Sequence, residues 1–309
     1  MRIEETGKIT EGFYVTGSPA VPVYLLDGPK PALFDAGLTI FARLYEKDIK
    51  EVLGDREPAY LFLTHSHFDH VGAAGYFKDI WPELQILGSA RCREILRRAK
   101  AIELIREFNI EAANTLISSD MTDIHEEPFK AFDVDIIIKP DQVIKLGPGL
   151  TVEAINTPGH TWDFMSYWIP KRKILIGSEA LGCYEGHGYI QTEFLVDYDT
   201  YLDSLRCLAE LDAEILCPGH HALFTGADAK EHIKGSFKAS KDFRRLVEDF
   251  LIKEKGDIDR TVDRVKAVEW DKRSWPKQPE TAYLLNTRHR VQKIWERMVN
   301  NRGQGGTAG

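Results

Sequence analysis

Short β-prone runs alternate with helical patterns through the first part of the chain. Three runs come first, at 12–15, 21–26 and 32–34, and turn residues such as Asp27-Gly28-Pro29-Lys30 separate them. Apolar residues at helical spacing predict a helix over 40–53, and a continuous apolar strand follows at 60–63. The alternation predicts an α/β fold that begins with a hairpin and whose helices cover the faces of a mixed sheet.

The same alternation continues to about residue 217 and then changes. The pattern predicts helices at 71–79, 89–127 and 201–211, and strands at 85–88, 134–138, 142–146, 150–155, 165–169, 173–176 and 213–217. Beyond about 225 only helical patterns remain, at 228–254, 257–268 and 280–299. We therefore expect a domain over 1–227 with a helical insertion at 89–127, a helical region over 228–302, and a disordered tail at 303–309.

Composition narrows the classes of function. The 309 residues are 43% hydrophobic, which is enough for one large domain with an appendage. A net charge of −8 argues against general binding of nucleic acid. The four cysteines form no C-x-x-C pair and are typical of free thiols in a reducing compartment. We find neither an apolar signal core nor a membrane-length apolar run, so we expect a soluble, cytoplasmic protein with a small-molecule substrate; a homodimer stays open.

The strand at 60–63 ends in a cluster of polar residues that suits metal binding. His65 and His67 are two residues apart, so on an extended segment they point the same way and can bind one ion. Asp69 and His70 come from the next turn and suit a second ion. Imidazole nitrogen and carboxylate oxygen are ligands for zinc, iron or manganese. The alternative is a polar loop of crowded histidines, but buried histidines and aspartates without partners are costly.

This H-x-H-x-D-H cluster resembles the signature of the metallo-β-lactamase-fold metallohydrolase superfamily. Further landmarks resemble those of the family in order, namely Asp35-Ala36-Gly37, Thr157-Pro158-Gly159-His160-Thr161, Gly177-Ser178-Glu179 and Cys217-Pro218-Gly219-His220. The resemblance covers about residues 1–225 and implies an αββα sandwich of two mixed sheets flanked by helices. The C-terminal helices resemble the appendage of thioesterase-like members of the quinolone-signal response type; a dimerisation or stability element is the alternative.

The resemblance also implies a ligand set for two divalent metal ions, with zinc favoured over iron or manganese. The first ion would be bound by His65, His67 and His160, and the second by Asp69, His70 and His220. Glu179 stands where the family usually has a bridging aspartate, and Ser178 stands in place of a glycine. Asp69 would also be the catalytic residue that orients a hydroxide and transfers a proton.

These residues predict a dinuclear metal-dependent hydrolase that uses a metal-bound hydroxide, most favourably on an acyl thioester of the acyl-CoA kind. A lactone or phosphodiester hydrolase is the nearest alternative. A diiron redox protein is an alternative of another class because a glutamate ligand suits iron, although the chain has no rubredoxin-type cysteine pair. A regulatory ligand-binding module with weak catalysis is the third.

Three further groups are candidates for contacts around the site. The basic residues Arg91, Arg93, Arg97, Arg98 and Lys100 would contact an anionic substrate such as a coenzyme A phosphate, or form a solvated helix face. The aromatic loop at 182–198 would bring Tyr184, His187 and Phe194 to the substrate, unless these are surface or packing residues. Asp35 would form a hydrogen bond near the metal centre, or simply end a strand.

Overall fold

The computed structural model describes residues 1–117, 127–273, 277–278 and 280–304. The end of the predicted helical insertion and residues 305–309 of the predicted tail therefore lie outside the described residues. The described strands are β1 (Arg2–Ile3), β2 (Gly7–Thr10), β3 (Phe13–Ser18), β4 (Val21–Leu26), β5 (Ala32–Phe34), β6 (Tyr60–Phe62), β7 (Gln85–Ser89), β8 (Ile136–Ile138), β9 (Val143–Gly147), β10 (Leu150–Asn156), β11 (Met165–Ile169), β12 (Ile174–Ile176), β13 (Cys183–Tyr184), β14 (Ile190–Gln191), β15 (Ile215–Cys217) and β16 (Leu223–Thr225).

Helices connect these strands and then dominate the C-terminal quarter. They are α1 (Ala42–Leu53), α2 (Phe68–Val71), α3 (Ala74–Ile80), α4 (Ala90–Leu96), α5 (Ala99–Ile117), α6 (Tyr198–Ala209), α7 (Ala227–Lys253), α8 (Ile258–Glu269) and α9 (Glu280–Gln304). No helix in the described part of the chain is long and apolar enough to cross a membrane.

Two seven-stranded sheets form the centre of the molecule. The first has the order β2-β3-β4-β5-β6-β7-β8, and the second has the order β1-β16-β15-β12-β11-β10-β9. Both sheets are mixed, since β5 to β8 pair in parallel in the first and β12 pairs in parallel with β15 in the second. A separate two-stranded ribbon consists of β13 and β14. The predicted mixed sheets are confirmed.

Apolar side chains from both sheets meet in the central layer. The cluster there includes Phe34 and Phe62 from the first sheet and Val152, Tyr167 and Ile176 from the second, all of them buried. A second core lies between the first sheet and α1, α3, α4 and α5, and a third lies between the second sheet, α6 and α7. Helix, sheet, sheet and helix are therefore stacked in that order, which confirms the predicted αββα sandwich.

The C-terminal helices pack on the domain through a core of their own. Phe243 and Val247 of α7, Val265 of α8 and Ile294 of α9 surround the buried Phe194, which lies just before α6. Helix α9 continues to Gln304, two residues into the segment predicted to be a tail. The short strands β1, β2 and β16 were not predicted, because runs of two to four residues carry too little periodicity to be recognised.

Candidate metal centre

Seven polar side chains converge where strands of the two sheets end at one edge of the sandwich. They are supplied by the segment after β6, the short helix α2, and the turns that follow β10, β12 and β15: His65, His67, Asp69, His70, His160, Glu179 and His220. Their donor atoms form overlapping groups whose members lie within 4.8 Å of one another. The backbone thus brings together every residue that the sequence predicted as a metal ligand.

The first group consists of His65, His67 and His160. Nε2 of His160 lies 3.1 Å from Nδ1 of His67. Nε2 of His65 is fully buried and has no hydrogen-bond partner in the part of the chain that the structure describes. A buried nitrogen without a partner is unfavourable, so this geometry fits a bound cation.

The second group consists of Asp69, His70 and His220, and Glu179 lies between the two groups. Oε1 of Glu179 is 2.8 Å from Nε2 of His70 and 2.9 Å from Nε2 of His220. Its other oxygen, Oε2, lies 3.8 Å from Nδ1 of His65. One carboxylate therefore faces both groups, as a ligand shared by two ions must.

The glutamate has room because residue 219 is a glycine. A Cβ atom at Gly219 would lie 2.4 Å from Oε1 of Glu179 and 2.9 Å from its carboxyl carbon. Ser178, which precedes the glutamate, has a φ of 46° and donates a hydrogen bond of 2.7 Å to Oε2. The turn thus accepts a left-handed backbone, unusual for serine, and uses the serine hydroxyl to hold the carboxylate.

Acceptors outside the site orient four of the five histidines through Nδ1. His70 donates to Asp35 over 2.9 Å, His160 to the carbonyl of Glu193 over 2.6 Å, and His220 to the carbonyl of Ala20 over 2.7 Å. Nδ1 of His65 lies 3.0 Å from the hydroxyl of Thr64, which itself donates to Asp35. Because Nδ1 of each ring is used in this way, Nε2 is the nitrogen that each of the four histidines offers to a metal ion.

The two groups differ in their electrostatics. Burial, with the neighbouring histidines, lowers the pKa of His65 well below its ordinary value, and it lowers that of His67 to about 4. Burial also opposes the charging of His70, yet Glu179, Asp69 and Asp35 raise its pKa well above the ordinary value. Burial by itself would raise the pKa of Glu179, but His70 and His65 hold that pKa well below its usual range. The carboxylate of Glu179 is therefore ionised, and the carboxylates beside His70 and His220 favour positive charge in the second group, whether it is carried by protons or by a metal cation.

A cavity of about 1010 Å³ opens in front of these residues. Five of the seven predicted ligands reach it: His67, Asp69, His160, Glu179 and His220. The rest of its wall is mostly apolar and comes from α5, α9 and the segments around Leu38 and Val196. This volume is at the upper end of the range for small-molecule sites.

The five basic residues of the insertion divide between surface and cavity. Arg93 and Arg97 form ion pairs with Asp133, and Arg98 pairs with Glu94. Arg91 instead lines the cavity, and it forms no hydrogen bond or ion pair with any residue in the described ranges. The predicted contact with an anion is thus reduced to one arginine, and the solvated helix face accounts for the others.

The aromatic residues predicted to contact substrate lie elsewhere. Tyr184 is buried against the ring of Phe224, Phe194 is fully buried in the C-terminal core, and His187 is exposed at a turn. Their loop reaches the cavity through Cys183, Glu185, Gln191 and Glu193 instead. An alternation of aromatic and polar residues does not reveal which side of a loop faces inward, and the positions of these three side chains agree with the alternative of surface or packing residues.

Several residues at the site carry no local sequence signal. Glu193 orients His160 through its carbonyl, and its carboxylate accepts hydrogen bonds from Gln191, Gln278 and Asn286. Asp163 is buried beside the cavity and accepts a hydrogen bond of 2.9 Å from the backbone of Ser66. These residues are recognisable only after the chain folds, because Ser66 lies 97 residues from Asp163 and Asn286 lies 93 residues from Glu193 in sequence.

Comparison with known proteins adds three findings. The sequence profile of the Metallo-beta-lactamase superfamily matches residues 17–220. The chain is 26% identical to the atrochrysone carboxyl ACP thioesterase of Aspergillus fumigatus over 70% of its own length and 52% of that protein. It is 29% identical to the hydroxyacylglutathione hydrolase of Bartonella henselae over 52% of its length and 47% of that protein. The chain thus spans about half the length of these two relatives.

A solved structure has the same overall fold. The metallo-beta-lactamase family protein TTHA1429 from Thermus thermophilus superposes with a TM-score of 0.62 and 18% sequence identity. The superposition covers 94% of this chain and 95% of that protein, so it includes the C-terminal helices as well as the sandwich.

Proposed function

The chain belongs to the metallo-β-lactamase superfamily, and from this premise we propose that it is a dinuclear metal-dependent hydrolase acting on an acyl thioester. The substrate class is an acyl group joined through sulfur to a carrier of the coenzyme A kind. Zinc is the favoured metal, with iron or manganese as alternatives.

The observation that carries the proposal is the convergence of six nitrogen and oxygen ligands on the two sides of Glu179. Two groups of three, His65, His67 and His160 and then Asp69, His70 and His220, match the donor set of a paired-ion site. The orphaned Nε2 of His65 and the outward hydrogen bonds of the other rings support the same conclusion.

When bound, two such ions lower the pKa of a water molecule towards 7 and polarise the oxygen of the group under attack. The chain's own residues would orient the reacting groups and neutralise their charge. Asp69 borders the cavity with Oδ2 at 3.5 Å from Nε2 of His220, where its carboxylate can hold a proton and pass it to a leaving group. A thiolate needs little protonation, so one carboxylate suffices for a thioester.

Two further features favour a thioester over the alternatives. The names of two relatives describe a thioesterase and a hydrolase of an acylglutathione, and both names fit cleavage of an acyl group from sulfur. The cavity also combines an apolar wall with Arg91 and Lys277, two cations that form no ion pair among the described residues. An acyl group and an anionic carrier require that combination.

The test begins with elemental analysis of protein purified without chelators, where we expect about two metal ions per chain. The metal-loaded protein is then assayed on a thioester, the matching oxygen ester, a lactone and a phosphodiester. We expect the thioester to be turned over at least about tenfold faster than the oxygen ester, because a thiolate is the better leaving group.

Asp69→Asn should keep the fold and lose about a hundredfold or more of kcat, since it removes both a carboxylate ligand of the second group and the proton acceptor. Asp203→Asn on the exposed face of α6 is the matched control and should retain full activity. Turnover of the phosphodiester or lactone alone would overturn the thioester assignment. Iron in the elemental analysis together with oxygen consumption would overturn the hydrolase.

A further inference from the structure

One wall of the cavity is an apolar stripe along α5. The residues that face the cavity recur at helical spacing, namely Ala101, Leu104, Ile105, Phe108, Ala112 and Leu116. The stripe runs for about 22 Å along the helix axis, at ~1.5 Å per residue. A site that handled only the reacting carbonyl and water would need a small fraction of that length.

A second wall comes from the C-terminal helical region. Ala282 and Leu285 of α9 line the same cavity, and Trp162, two residues after the ligand His160, also reaches it. Leu104 of α5, Leu285 and Trp162 are 45%, 41% and 45% exposed, although all three are large apolar residues. Exposed apolar side chains gathered around one concave surface are typical of a site for an apolar ligand.

This surface, which we call the apolar groove, is defined by Leu104, Phe108, Leu116, Trp162 and Leu285. It is continuous with the metal centre, because the same cavity is lined by Asp69, His160 and Glu179. A molecule that fills the groove can therefore present one end to these ligands. One substrate molecule can thus occupy the apolar groove and place its reactive end at the metal centre.

We propose that the apolar groove binds the acyl part of the substrate and selects a long alkyl or extended aromatic acyl group over acetyl or other short groups. The inference rests on the proposed function and adds to it the class of acyl group. Contact with the stripe on α5 removes the acyl chain from water, and each buried methylene increases binding about threefold to fourfold. Specificity for chain length then comes from α5 and α9.

The first experiment measures kcat/KM on acyl thioesters of two, four, eight and twelve carbons with the same carrier. We expect kcat/KM to rise about a hundredfold between four and eight carbons, since each added methylene enters the groove. A carboxylate is then placed in the groove by Leu104→Asp and Leu285→Asp. Both side chains are half-exposed, so the charge is tolerated in the fold but is costly beside an acyl chain.

The chain offers matched controls on the same two helices. Ile110 of α5 and Val299 of α9 are 49% and 47% exposed and do not line the cavity. Ile110→Asp and Val299→Asp should keep the chain-length dependence. Leu104→Asp and Leu285→Asp should reduce the twelve-carbon rate by about tenfold or more and flatten the dependence. Equal effects of groove and control variants would overturn the inference.

A second measurement separates this inference from the proposed function. Binding of dodecanoate to the metal-loaded protein is measured by calorimetry, and it requires no turnover. In one outcome no thioester is hydrolysed, but dodecanoate binds, and Leu104→Asp weakens its binding at least about tenfold relative to Ile110→Asp. The inference about the groove is then supported and the proposed hydrolase activity is wrong. If thioesters of all lengths react equally and dodecanoate does not bind, the proposed hydrolase activity is supported and the inference about the groove is wrong.

Discussion

At the scale of single residues, the site depends on how one longer carboxylate is accommodated. Glutamate is one methylene longer than aspartate, and the extra length is taken up by the empty space at Gly219 and by the hydrogen bond from Ser178. The two changes in this turn are thus connected in space. Gly219 therefore makes room for the longer carboxylate, a role that depends on its distance from Glu179 in space.

Gly219→Ala should therefore disturb the site more than a usual glycine replacement. The new methyl group would collide with Oε1 of Glu179, and the carboxylate must move away from His70 and His220. We expect the metal content to fall from about two ions per chain to about one or fewer. Elemental analysis after dialysis against dilute zinc gives the count.

Two comparisons sharpen this prediction. Gly88→Ala is the control, because a Cβ there meets its nearest atoms at 3.5 Å, an ordinary contact. Adding Glu179→Asp to Gly219→Ala shortens the carboxylate and should restore the second ion. If the double variant binds no more metal than Gly219→Ala, the steric explanation is wrong.

At the scale of elements, the C-terminal helices are linked to His160, a predicted metal ligand, through the loop before α6. Asn286 of α9 donates hydrogen bonds of 3.1 Å to both carboxylate oxygens of Glu193, whose carbonyl orients His160. Arg290 of α9 is fully buried, pairs with Glu269 of α8 over 2.9 Å and donates to the carbonyl of Thr192. The helical region therefore holds the segment 192–193 in place.

Asn286→Ala should weaken metal binding without removing a ligand. Loss of the two donors leaves the buried carboxylate of Glu193 less well held, and His160 loses part of its orientation. We expect the zinc affinity to fall about threefold to tenfold in a competition titration with a coloured chelator. Asn300→Ala, on the exposed end of the same helix, should leave the affinity unchanged. Equal zinc affinities in the native protein and both variants would show that the contact from α9 does not contribute to metal binding.

At the scale of the whole molecule, we expect stability in acid to depend on a buried histidine that lies away from the predicted metal ligands. His232 of α7 is buried, packs on the ring of Phe224 with centroids 4.3 Å apart, and lies 3.1 Å from the carbonyl of Leu181. Burial lowers its pKa to about 4, although the carbonyls of Gly182 and Leu181 oppose the shift. The folded protein thus holds this side chain neutral.

Because the folded pKa is depressed, the unfolded chain binds more protons between about pH 6.5 and pH 4. This contribution to stability is complete above pH 6.5 and is lost as the pH falls towards 4. We expect the free energy of unfolding to fall about 2 kcal/mol further in the native protein than in His232→Gln between about pH 7 and pH 4.5. Urea unfolding at the two pH values measures the difference, and parallel losses would contradict the assignment.

Much of the architecture and of the ligand set was predictable because both depend on local patterns. Period-2 and period-3.6 alternation located β3 to β7, β10 to β12, α1 and α7 to α9 within a few residues, and the H-x-H-x-D-H cluster is contiguous in the chain. The predicted contact between Asp35 and the site also occurs, as a hydrogen bond to His70. Each of these features is written in neighbouring residues.

Other features required the tertiary structure. Glu193 and Asn286 are 93 residues apart, and the apolar groove combines residues of α5 and α9. Neither arrangement can be recognised from a local sequence pattern. The inward and outward sides of the loop before α6 depend on tertiary packing, so the sequence could not decide whether Tyr184, His187 and Phe194 contact a substrate or are packing and surface residues. The sequence by itself determined the donors, since ligand chemistry belongs to side chains; only the fold decided what surrounds them, because distance through space depends on packing between distant segments.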